Sequence, residues 1–230
     1  PVNCTLPETV EPEYVTLEGT DGAGGAWQRQ IENSRVARRF GRLDEHKWAV
    51  LFSRGLLAER GIEVARFEFA YMARRREEGI KAPPDRAPRL MACFQAVLDE
   101  VRRTAPGPVW VGGKSMGGRM ATMLAADPDT APDGCVVFGY PFHPPGKPEK
   151  TRLDHFPALA APVLICQGER DPFGKPPEVA GYSLPSRVTL HWVPDGDHDL
   201  TPRKRSGIDP RANLAGAADR AADFIRGRVS

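Results

Sequence analysis

Gly113-Lys114-Ser115-Met116-Gly117 has the form G-x-S-x-G, the sharp strand-to-helix turn that lifts a serine hydroxyl clear of a sheet. Small residues flank the serine because a Cβ there would collide with neighbouring backbone. The hydroxyl is a poor nucleophile until a base takes its proton, and the base needs a carboxylate to fix its tautomer and stabilise its charge. In folds built on such a turn the partners follow later in the chain, acid first and histidine last, each just after a strand. Gly168-Glu169-Arg170-Asp171 and Pro194-Asp195-Gly196-Asp197-His198-Asp199 occupy those two slots. Asp171 is expected as the orienting acid and His198 as the general base. An oxyanion formed at Ser115 would need two backbone donors. The Met116 amide, at a helix start, is one; the Gly22-Ala23-Gly24-Gly25 turn is the candidate for the other, through Ala23 or Gly24.

The alternatives differ in chemistry. Reading Gly113-Lys114-Ser115 as the end of a phosphate-binding loop requires a glycine where the chain has Pro108. Glu169 could replace Asp171 as the carboxylate. His143 and His155 precede any candidate acid, and His191 sits inside a strand pattern as a packed or edge residue. Asp195, Asp197 and Asp199 with His198 are metal-ligand types, but consecutive turn positions point in different directions and no second cluster completes a set. They read as turn formers, and neither a metal nor a cofactor is expected.

The elements that must carry these residues alternate. Strand textures occur at Glu63 to Phe69, Pro108 to Val111, Cys135 to Gly139, Pro162 to Cys166 and Val188 to Val193. Helical patterns run from about Asp44 to Arg60, from Ala87 to Thr104, from Ser115 to Ala126 and from Pro210 to Arg226. In the second of these, Leu90, Met91, Phe94, Val97, Leu98 and Val101 share a face. In the last, Asp209 is a possible cap and Leu214, Ala218, Ala221 and Phe224 or Ile225 face inward. Strands alternating with helices imply crossover units and a mostly parallel sheet covered on both faces, hence the α/β class. Proline-rich Gly139 to Lys150 reads as a loop over the sheet's edge. No repeat or linker divides residues 1–230, so a single domain is expected, with residues 1–45 its poorly patterned part.

Composition narrows the function classes. Lys plus Arg total 32 and Asp plus Glu 30, a net charge of +2, which argues against a dedicated nucleic-acid binder. The arginine runs at 35–42, 74–76 and 203–205 lack interleaved aromatics and read as solvated surface. No apolar stretch approaches the roughly 20 residues that cross a bilayer, so no membrane association is expected. Cys4, Cys93, Cys135 and Cys166 are widely spaced and read as reduced core thiols, with a cytoplasmic location as the expectation. Oligomeric state leaves no readable trace.

Arg66-Phe67-Glu68-Phe69, Gly112 to Arg119 (GGKSMGGR), Gly139 to Lys150 (GYPFHPPGKPEK), Cys166 to Phe173 (CQGERDPF) and Pro194 to Leu200 (PDGDHDL) resemble blocks of small α/β-hydrolases. Within these the chain resembles the bacterial dienelactone-hydrolase-like group related to testis-expressed protein 30 and to the hydrolase-like domain of an acetyltransferase-complex subunit. The likeness covers about residues 55 to 226. It implies an α/β-hydrolase fold with no large cap, a sheet of about seven or eight strands, and a triad of Ser115, Asp171 and His198. The front departs from the group's His-Gly-Ala-Gly turn, since Asp21 precedes Gly22. The expected partner is a small-molecule ester or thioester, with Lys114, Phe142 and His143 bordering its pocket and Lys114, Arg119 and Lys150 offering charge to an acidic one. The contrasting expectation is a non-catalytic interaction module on the same fold.

Overall fold

The computed structural model describes the strands Tyr14–Thr20 and Ala26–Glu32 and residues 56–229, apart from 66, 68, 80–82 and 106. The chain divides into two compact units, Pro1–Glu100 and Val101–Ser230.

In the first unit, β1 (Tyr14–Thr20) pairs antiparallel with β2 (Ala26–Glu32), from Tyr14 opposite Glu32 to Thr20 opposite Ala26. The stretch through Trp27 lacks apolar alternation and was not expected as a strand; ladder pairing with β1 forms it all the same. Of the helix expected at 44–60, residues up to 55 lie outside the described ones, and the rest is a short 3-10 turn, Ala58–Arg60. The strand expected at Glu63 to Phe69 is not formed by its described residues. Burial still alternates there, with Ile62 and Val64 half-buried and Glu63 and Ala65 exposed, but without a partner ladder. Phe67 and Phe69 instead pack on Phe94, ring centroids 4.8 and 6.0 Å away. Helix α1 (Ala70–Glu78) follows directly. Its three arginines hid any apolar stripe, and Gly79, left-handed at φ 65°, ends it. Helix α2 (Ala87–Thr104) has the expected bounds and buries Leu90, Phe94 and Leu98.

The second unit holds the parallel sheet. Strands β3 (Trp110–Lys114), β4 (Gly134–Phe138), β5 (Val163–Gly168) and β6 (Val188–Val193) lie side by side in chain order, all parallel. Every residue of β4 and β5 is buried, as the middle strands of a sheet covered on both faces must be. Helix α3 (Met116–Leu124) and helix α5 (Pro210–Arg226), with the short α4 (Pro176–Val179) between them in sequence, complete the layers. Register assigns the faces. Val137 points at Gly118 of α3; Cys166, beside Phe138, points the other way and its thiol reaches the Ala217 carbonyl of α5 at 3.8 Å. Trp110 packs edge-on against Phe224 on that same α5 face, at 5.9 Å, with room made by Gly134 beside it. The described parallel sheet thus has four strands rather than the seven or eight that resemblance implied. Because the strands are parallel, their carboxyl ends share one rim, where ligands of α/β sheets collect.

Candidate active site

The rim begins with the turn out of β3. Ser115 has φ 52° and ψ −115°, a region L-residues seldom occupy, at a typical cost of about 1–3 kcal/mol. Two glycines let the turn close. A Cβ on Gly113 would stand 2.6 Å from the Gly117 carbonyl carbon and 2.7 Å from the Gly118 nitrogen; one on Gly118 would stand 2.3 Å from Val137 Cγ1. Gly117, the motif's final glycine, would meet nothing within 4 Å. Close approach of helix to sheet is therefore made by Gly113 and Gly118, the latter one residue past the pattern.

The acid and the base come from the same rim, beyond β4, in the turns that follow β5 and β6. Asp171 lies in the turn after β5 and is fully buried. Its Oδ2 accepts from His198 Nδ1 at 2.8 Å and from Gln167 Nε2 at 2.8 Å, and its Oδ1 accepts from the Phe173 amide at 2.9 Å. A carboxylate only accepts, so His198 carries its proton on Nδ1 and presents a bare Nε2. That nitrogen lies 2.9 Å from Ser115 Oγ. The imidazole, 20% exposed, rests on the Phe173 ring at 4.4 Å and over Gly139, where a Cβ would come within 3.3 Å of Nδ1. The structure thus brings Ser115, Asp171 and His198 into one hydrogen-bonded line.

The loop bearing His198 is tied down on every side. Asp197 Oδ1 accepts from the amides of Asp199 and Thr201, at 2.8 and 2.9 Å. Buried Asn213 of α5 donates to the carbonyls of Pro194 and Leu200. Asp195 takes hydrogen bonds from the backbone and side chain of Arg203, which hold its carboxyl down at about 2, and pairs with Arg170. Its own amide donates to Glu169 Oε2 at 2.9 Å, so Glu169 braces this loop while Asp171 faces the imidazole. Among the described residues the non-glycine positions with positive φ are Ser115, Asp195 and Leu200: one carries the hydroxyl and two bracket the imidazole. Strain concentrated so is what a preorganised site looks like.

The remaining expected residues fall as follows. Met116 opens α3, where backbone amides have no intrahelical partner and the helix dipole favours negative charge. Ala23 and Gly24 lie outside the described residues. Lys114, at the end of β3, pairs with Asp199 at 2.7 Å. Phe142 and His143 do not border an open pocket: both are fully buried. Phe142 packs on Tyr140 and Tyr182, and His143 meets the Pro144 carbonyl at 2.8 Å and Glu178 at 3.3 Å. The aspartates around His198 each have partners, in Arg203, backbone amides and Lys114. No group of His, Cys, Asp and Glu among the described residues could hold a metal ion.

Two side chains went unnoticed in the sequence. Gln167 ends the apolar run of β5, fully buried; its Nε2 donates to Asp171, Tyr140 O and Gly174 O while its Oε1 accepts from the Tyr140 amide. A glutamine inside a strand pattern, four residues before the acid, was the available signal. Asn213, polar on the inward face of α5, was the other.

The alpha/beta hydrolase domain family matches residues 40–226. No curated protein matches the sequence. Among solved structures, the chain is similar to the esterase domain of a Rhodothermus marinus protein (TM-score 0.58, 14% identity, 96% of this chain and 100% of that one). It is also similar to an esterase of Pyrococcus furiosus (TM-score 0.58, 15% identity, 100% and 98%) and to Est1E from Butyrivibrio proteoclasticus (TM-score 0.58, 13% identity, 84% and 85%). At these identities the likeness is one of fold. With a match that spans most of its length and a parallel sheet flanked by helices, the chain belongs to the alpha/beta hydrolase domain family.

Proposed function

We propose that the protein is a serine hydrolase that cleaves a carboxylic ester or thioester through Ser115, His198 and Asp171. The observation that carries this reading is the unbroken line from Asp171 Oδ2 to His198 Nδ1 and from His198 Nε2 to Ser115 Oγ. Ser115 Oγ attacks the carbonyl carbon as its proton passes to His198 Nε2; Asp171 stabilises the imidazolium. The Met116 amide donates to the oxyanion, a kind of contact worth on the order of 3 kcal/mol. Collapse of the tetrahedral intermediate expels the alkoxide or thiolate, which takes the proton from His198. Water, deprotonated by the same nitrogen, then attacks the acyl-enzyme and frees the acid and Ser115. Within the family, the sequence blocks quoted above support the dienelactone-hydrolase-like group. Buried, unpaired Cys135 and Cys166 support a cytoplasmic location.

The test is labelling of folded protein by a fluorophosphonate probe. Labelling that vanishes in Ser115→Ala is expected; an unlabelled wild type would make the protein a non-catalytic interaction module.

A further inference from the structure

Lys114 ends β3 and Asp199 follows His198, so each stands one residue from a partner in the proton transfer: Lys114 just before Ser115, Asp199 just after the imidazole. Their side chains meet, with Lys114 Nζ 2.7 Å from Asp199 Oδ1. At 20% and 39% exposure the pair lies open to solvent, and an ion pair so placed adds little to folding stability. Its position gives it another use. β3 and β6 are the outer strands of the described parallel sheet, with β4 and β5 between them, and the loop after β6 reaches back over both to the serine. Among the described residues, other anchors of that loop lie on the β5 and α5 side. The Arg170 amide donates to the Gly196 carbonyl, the Asp195 amide donates to Glu169, and Asn213 donates to the loop's carbonyls. Toward β3 the loop is joined by the contact of His198 Nε2 with Ser115 Oγ and by the ion pair.

The first of those two joints is lost halfway through the reaction. Once Ser115 Oγ is bonded to the acyl carbon it has no proton to donate. The hydrogen bond to Nε2 is then gone at the stage when that nitrogen must take a proton from water. The ion pair involves neither atom.

We propose that Lys114 and Asp199 are positioning residues for deacylation: their ion pair holds the His198 loop over the acyl-enzyme while the imidazole has no hydrogen bond to Ser115. This rests on Ser115 being the nucleophile. In that half-reaction the water oxygen bonds to the acyl carbon as its proton passes to His198 Nε2. The bond from the acyl carbon to Ser115 Oγ then breaks, and the same proton returns to the serine. A misplacement of about 1 Å costs on the order of a hundredfold, and with Asp171 still behind the ring the loss of the pair should cost about tenfold.

Two measurements on p-nitrophenyl butyrate separate the halves. kcat/KM covers the steps up to acylation; decay of butyryl-Ser115, followed by mass spectrometry of quenched samples, covers deacylation. Lys114→Met and Asp199→Asn should each slow that decay about tenfold and leave kcat/KM within about threefold of the wild type. The double variant should lose no more than either single one, and Lys114→Arg should keep most of the rate. Fluorophosphonate labelling of Ser115 needs only the first half, so all four variants should label at the wild-type rate. Equal losses in decay and kcat/KM, additive losses in the double variant, or unchanged decay overturn the positioning role and leave the nucleophile standing. A loss of kcat/KM with decay unchanged makes Lys114 a substrate contact, which overturns it as well. Unlabelled variants beside a labelled wild type give the pair a part in folding instead and also overturn it. An unlabelled wild type overturns the nucleophile and the pair's role together.

Discussion

Two imidazoles in the second unit touch a hydroxyl at almost the same distance. His198 Nε2 lies 2.9 Å from Ser115 Oγ, and His155 Nε2 lies 2.8 Å from Thr122 Oγ1. Both hydroxyls are carried by α3, one just before its first residue and one within it. The chemistry differs because the groups behind each pair differ. Thr122 Oγ1 already donates to the Arg119 carbonyl at 2.8 Å, so His155 must be the donor and its Nε2 holds a proton. Behind it burial, with the charge of Arg119 added, holds the ring down at about 4 against the smaller opposing pull of Asp154. Ser115 has no such internal acceptor, and Asp171 fixes the His198 proton on Nδ1, away from the serine. A histidine–hydroxyl contact becomes a proton-transfer pair only when the far nitrogen is anchored to an acid and the hydroxyl's proton is uncommitted.

The largest test of that contrast is removal of each ring. Ser115→Ala or His198→Gln should lower kcat on p-nitrophenyl butyrate by about 10⁴-fold or more, as loss of one member of a triad does. His155→Gln should change it by less than about threefold. Equal losses from the two histidine variants would erase the distinction. Asp171→Asn comes next: an amide can present its NH₂ to Nδ1 and turn the ring's proton toward Ser115, so kcat should fall by about 10⁴-fold while the fold persists. Far-ultraviolet circular dichroism checks the second half of that statement. Gln167→Leu acts less directly, by leaving the Tyr140 amide and the Gly174 carbonyl without their side-chain partner and Asp171 with one donor fewer. Loss of such buried partners costs about 1–3 kcal/mol. The urea midpoint should fall accordingly, with a drop in kcat of about ten- to a hundredfold.

His155 should show itself in stability instead. Its folded pKa of about 4 lies below the ordinary 6.5, so between those values the unfolded chain takes up a proton that the folded chain refuses. Stability from this group is complete above pH 6.5 and is lost as pH falls toward 4. The full gap corresponds to about 3 kcal/mol, and partial solvent access to the ring reduces it to about 2. Urea unfolding at pH 7.5 and 4.5 measures it. The pH-dependent loss should shrink in His155→Gln by that amount; an unchanged slope would mean that the ring is not held neutral by its surroundings.

How much of this was legible follows from where each signal lives. Ser115, Asp171 and His198 each end a local pattern, a strand followed by a turn, so short windows located them, and chain order ranked them. β6, α2 and α5 came out with their full bounds because apolar periodicity within one element reports burial on one face. Signals that depend on a partner far along the chain were lost. The run expected as a strand at 63–69 has strand composition, and its described residues form no ladder. β2 has a ladder and no strand composition. Phe142 and His143 look like pocket residues by type, yet the loop folds over them. Gln167 reads as a blemish in an apolar strand, and only the Asp171 and Tyr140 it joins reveal its use.

The smallest effect separates the motif from the geometry that the motif stands for. Both hydroxyls ride on α3, whose closeness to the sheet is set by Gly118 against Val137 and by Gly113 against Gly117 and Gly118. Gly118→Ala must push α3 off β4, an overpacking cost of about 1–3 kcal/mol. It should also lengthen the contact between Ser115 and His198, lowering kcat as well as stability. Gly117, although it completes G-x-S-x-G, has free space for a methyl group and helical backbone. There alanine should stabilise the protein by about 0.5–1 kcal/mol through reduced backbone freedom in the unfolded chain. Thermal unfolding of the two variants side by side decides the matter. A destabilised Gly117→Ala paired with a neutral Gly118→Ala would put the close approach at the motif's own glycine, and with it a different seat for the serine.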